Sequence, residues 1–117
     1  MITKAIPIKY GIIYARNALI LKKVNLDCYP FTLIVETSLS LANCQPEVLN
    51  VPDEWVKFIF TDIDNLSISQ LDNYPNQRYL TSSFDLVEQV HHKGKKRIIL
   101  STYDHIFDVV GRYRIEY

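Results

Sequence analysis

At 117 residues and 13.7 kDa the chain has room for one domain, residues 1–117, built on one core. Thirteen Lys and Arg balance thirteen Asp and Glu, and an apolar fraction of 48% excludes disorder and any chain-wide attraction to polyanions. The most apolar stretch, residues 11–21, is broken by Arg16 and Asn17 and falls short of the roughly eighteen residues a membrane helix needs. No membrane span is expected, and with no apolar leader at the N-terminus the expected location is cytoplasmic. Two cysteines, Cys28 and Cys44, make no disulfide framework in a chain of this length and are expected to be reduced.

Fourteen Ile, nine Val and six Thr against four Ala favour pleated sheet over helix, because branching at Cβ stiffens χ1. Along the chain, Ile6, Ile8 and Tyr10 alternate, and residues 11–21 suit two strands turning near Arg16 and Asn17. Residues 31–41 alternate most clearly: Phe31, Leu33, Val35, Thr37, Leu39 and Leu41 fall on one face, predicting a strand with one side in the core. Residues 43–53, with Pro46, Asn50 and Pro52, read as a loop. Residues 55–71 hold two apolar alternations parted by residues 62–65, the punctuation of a hairpin. Ser82 with Asp85 three positions on resembles a capping box, so a helix of about two turns is expected near residues 84–91, a strand being the competing reading. From Tyr103 to Tyr117 alternate residues are apolar, predicting a long strand bent at Gly111, where a missing side chain marks a bulge or a close backbone approach. The fold class expected is α+β, predominantly antiparallel sheet with at most one or two short helices; the alternative is all-β.

Chemistry is sparse. Residues 91–97 hold two His with Lys93, Lys95, Lys96 and Arg97, a cluster able to hold phosphate and the basis of a polyanion-binding alternative. The competing reading is a solvated turn at Gly94. If residues 84–90 pair with 98–105, His105 falls opposite position 84, roughly 23 Å from His91, so no three-His metal site forms. His105 shares parity with Phe107 and Val109 and reads as a structural, half-buried imidazole. Asp62 and Asp64 lack the rest of a calcium loop and read as turn residues. Cys44 is the better of two poor nucleophile candidates, and no cofactor is implied. A hydrolase or metal enzyme, the third reading, requires a cleft joining Asp104 or Asp108 to a His.

Three segments taken together, Trp55 to Ile63, Ser82 to Glu88 and Ser101 to Val110, resemble the pattern of small bacterial β-rich domains, some of them similar to immunity proteins that neutralise a toxin. The resemblance covers residues 55–117 and implies a fold alone. The leading expectation, a non-enzymatic, immunity-like domain that presents a sheet face or edge to a protein partner, rests on the lack of a catalytic constellation in the sequence, the eight Tyr and the locally acidic middle of the chain. Tyr74, Arg78 and Tyr79, around a Pro-Asn loop, are the expected aromatic and basic anchors. A homodimer through a strand edge is a further expectation, with the last strand as its suggested edge; nucleic acid is disfavoured as a partner.

Overall fold

Apolar-polar alternation becomes strand along most of the chain in a computed structural model that describes residues 3–14, 18–70, 86–90 and 95–117. Nine strands are found among the described residues, in chain order β1 (Thr3–Ala5), β2 (Ile12–Ile13), β3 (Leu19–Cys28), β4 (Phe31–Leu39), β5 (Cys44–Gln45), β6 (Glu54–Gln70), β7 (Leu86–Val90), β8 (Lys96–Ser101) and β9 (His105–Glu116). Helical structure among the described residues is confined to a 3-10 turn, Leu41–Asn43, so the α component expected from the sequence is not found there. No helix among them is long and apolar enough to cross a membrane. The capping box at Ser82 lies outside the described residues. The segment after it, residues 86–90, is strand, paired with β1 on one side and β8 on the other, with Leu86 and Val87 buried in separate clusters.

Seven strands form one antiparallel sheet in the order β1-β7-β8-β9-β6-β4-β3, and β2 with β5 makes a separate two-stranded ribbon. Residues 11–21 do hold two strands, β2 and the start of β3, but the described residues do not pair them with each other: Ile13 pairs with Cys44 and β3 with β4, and Arg16 and Asn17 lie outside the described residues. The predicted hairpin at residues 62–65 is likewise replaced by one continuous strand, since the stretches on both sides of it pair with the same neighbour, β9.

That strand is sharply bent. A straight 17-residue strand would run about 50 Å, whereas the fold measures 41 Å along its longest principal axis. Leu19 is level with Leu39 and Glu54 at one end of β6, and His105 is level with Gln70 at the other. Yet the Tyr103 N–H, two residues before His105, donates to the Leu19 carbonyl at 2.8 Å. The sheet therefore folds back on itself. Its corner lies where the register jumps between Thr61 and Asn65, leaving residues 62–64 opposite the single residue Gly111. Asp62 takes φ +52 there, a left-handed conformation that Asp tolerates. A Cβ on Gly111 would stand 2.8 Å from the Thr61 carbonyl oxygen and 3.2 Å from the Ile63 Cα, so the close approach requires glycine.

Folding back gives the sheet an inside. Leu33, Val35 and Leu39 of β4, Val56, Phe58 and Phe60 of β6, Phe107 and Val109 of β9, Ile98 and Leu100 of β8, and Leu86 of β7 form one buried cluster with Ile6, Ile13 and Cys44. Thr37 sits among them and donates from Oγ1 to the Val56 carbonyl at 2.9 Å, which makes burial of its hydroxyl tolerable. A smaller cluster, Val87, Ile99 and Ile106, buries the opposite face of the second half of the sheet.

Candidate protein-interaction edge

The sheet ends at β3, and β3 leaves the core as it runs. Leu19 is fully buried, but every residue from Lys22 to Cys28 is exposed. Its partner β4 stays buried on one face because β6 flanks it on the other side, Leu33 against Phe60 and Val35 against Phe58. The inward row of β4 thus continues onto β3 without cover: Val24 faces Val35, Leu26 faces Leu33 and Cys28 faces Phe31. Val24 and Leu26 are 37% and 46% accessible, with Phe31 at 37% beside them. On the other face Lys23 lies opposite Glu36 and Asp27 opposite Thr32. Lys22 is the extra residue of a register shift between Leu21 and Lys23, so the regular edge runs from residue 23 to the turn at Tyr29 and Pro30. The opposite edge, β1, has three residues, a length that offers little template.

Of the residues singled out by sequence, Tyr74, Arg78, Tyr79, His91, His92 and Lys93 lie outside the described residues. Lys95, Lys96 and Arg97 are described and do not form a patch. Strand alternation sends Lys96 and Arg97 to opposite faces. Each has an acid beside it: Lys95 Nζ is 2.7 Å from Asp64 Oδ1, Lys96 Nζ 2.9 Å from Glu88 Oε2, and Arg97 holds Asp108 through two bonds of 3.0 and 2.7 Å. Asp62 is paired in the same way with Arg112 at 3.0 Å, so the two carboxylates of the corner face cations. Cys44, read as a loop residue, belongs to β5 and is 1% accessible, its thiol directed at the Ser40 carbonyl; Cys28 is exposed and no disulfide joins them.

His105 is half-buried and stacked on Phe107 with centroids 6.3 Å apart, the structural role its parity suggested. Its place in the expected register is corrected, however. Residues 98–105 are not one strand: Thr102 N–H donates to the His105 carbonyl and closes a turn between β8 and β9. Leu86 pairs with Leu100, and His105 pairs with Gln70. His105 Nδ1 does lie 2.7 Å from Asp104 Oδ1. Among the described residues, one depression of about 260 Å³ is lined by Lys96, Gly111, Arg112 and Tyr113, and another of about 190 Å³ by Asn65, Ser67, Arg97, Asp108 and Val110. Burial pushes the Tyr113 hydroxyl above the ordinary tyrosine value, and the hydrogen bond to Glu88 raises Lys96. Both groups hold their protons more tightly than usual, opposite to the tuning of a base or nucleophile. Among the described residues no three His, Cys, Asp or Glu side chains gather as metal ligands.

Comparison with family models, curated proteins and solved structures yields no match for this chain. The geometry of the edge therefore stands by itself. Sequence reading missed it because Val24 and Leu26 alternate with polar residues just as half-buried strand residues do, and only the strand order shows that no described strand lies beyond them.

Proposed function

We propose that this chain is a non-enzymatic, immunity-like protein-binding domain that accepts an extended strand of a protein partner along β3. The observation that carries the reading is the exposed row of Val24, Leu26 and Phe31 on a terminal strand of the sheet. Such an edge supplies main-chain donors and acceptors for affinity, and its alternate side chains supply specificity. The tightly held protons of Lys96 and Tyr113 in one depression and the ion-paired basic residues are in keeping with a binding rather than a catalytic role.

Leu26→Lys tests it, since a charge on the apolar row blocks strand addition while the residue has no core packing to lose. The immobilised wild-type chain should retain a protein from native cell extract through a high-salt wash, and Leu26→Lys, folded as judged by its melting curve, should not. Equal retention by both, or retention of nucleic acid alone that is lost in high salt, would count against the reading.

A further inference from the structure

We infer that one occupant of this edge is a second copy of this chain, its β3 running antiparallel to the first about a two-fold axis at Asn25. The inference rests on the reading that β3 accepts a strand, and it names the partner. In an antiparallel pair the side chains opposite one another share a face, so a two-fold axis must fall on a residue for the apolar row of one copy to continue into that of the other. An axis between two residues would set apolar side chains of one copy on the polar face of its mate.

Among axes on a residue, the side chains select one. With the axis on Asn25, Val24 meets Leu26 of the second copy and Lys23 meets Asp27, each contact occurring twice. Four apolar side chains then lie together on one face and two opposite-charge pairs form on the other, both favourable cross-strand combinations. Moving the axis to Val24 puts Leu26 against Lys22 and Asp27 against Leu21. Moving it to Leu26 puts Asn25 against Asp27 and carries Lys23 beyond the strand end to Tyr29. The register jump at Lys22 and the turn at Tyr29 bound the regular edge on both sides of residues 23–27, so the self-complementary segment fills it. An isologous interface of this type closes on itself and produces a dimer, not a filament.

Two charge variants read the register directly. Lys23→Asp alone sets Asp against Asp, and Asp27→Lys alone sets Lys against Lys, so each should weaken self-association by roughly tenfold. Mixed in equal amounts, they restore both opposite-charge pairs, and sedimentation equilibrium should show a species of twice 13.7 kDa in the mixture. In a Cys28→Ser background, Asn25→Cys should become a covalent dimer on mild oxidation, its two sulfurs meeting on the axis, whereas Asp27→Cys should not. A wild-type chain that sediments as a monomer at all concentrations, or a mixture no more dimeric than its components, would overturn the inference. If the chain is monomeric while Leu26→Lys still loses a foreign protein from extract, the edge serves another chain and the binding reading survives. If neither self-association nor capture depends on β3, both fall.

Discussion

Gly111 is the point at which two backbones approach too closely for a side chain. Its Cβ position is set against the backbone of residues 61–63, which has no flexible end to move aside. Gly111→Ala should therefore lower stability by about 1–3 kcal/mol in urea unfolding, the range for forced overpacking; an unchanged midpoint would show that the corner yields. Gly111 could be singled out from sequence because an isolated glycine interrupts an otherwise strict alternation. Asp62 could not be placed correctly, since Asp and Asn favour left-handed backbone equally in a hairpin turn and in a bulge. Tyr113, on the wall of the same corner, carries a pH prediction. A proton held more tightly in the folded than in the unfolded chain stabilises fully below the ordinary tyrosine value of 10.0 and is lost as pH rises through the raised one. Lys96 acts in the same direction. Stability should thus decline on the alkaline side of about pH 10, less steeply in Tyr113→Phe, and equal alkaline slopes for the two proteins would contradict this.

Strands β4 and β9 were legible because their alternation is long: β4 buries one row, Leu33 to Leu39, and β9 buries Phe107 and Val109 in the main core with only Ile106 buried on its other face. Strand β7 was ambiguous because Leu86 and Val87 bury on both faces, which removes the polar interval that distinguishes period two from a helical stripe. The Arg97–Asp108 pair ties β8 to β9 on the face away from the main core, with Asp108 only 13% accessible. Removing Arg97 leaves Asp108 poorly solvated, so Arg97→Ala should cost about 1–3 kcal/mol, Asp108→Ala less because the Arg97 side chain is 38% accessible, and the double variant less than their sum. Strict additivity in that cycle would show that the two bonds contribute nothing beyond packing. The partners of short strands were the least legible: β2 and β5 have two residues each, and nothing in Ile12 and Ile13 specifies Cys44 and Gln45 over the nearer β3.

At the scale of the molecule, the bend in β6 and β9 decides what is hidden and what is offered. It closes one face of the sheet into a core and keeps β9 between β6 and β8 over residues 106–110, so the first half of the last strand is not a free edge, while residues 112–116 pair with β6 alone among the described strands. The apolar row left open lies on β3, whose distal half runs past the core. Composition and alternation announce an antiparallel sheet, but strand order depends on contacts far apart in the chain, so the exposed edge becomes visible only in three dimensions. Residue-resolved amide hydrogen exchange of the wild-type chain across a wide range of protein concentration tests the use of that edge most directly. The account predicts that protection of alternate amides within residues 23–27 rises with concentration while the core strands stay unchanged. Exchange across those five residues that is identical at all concentrations would contradict it.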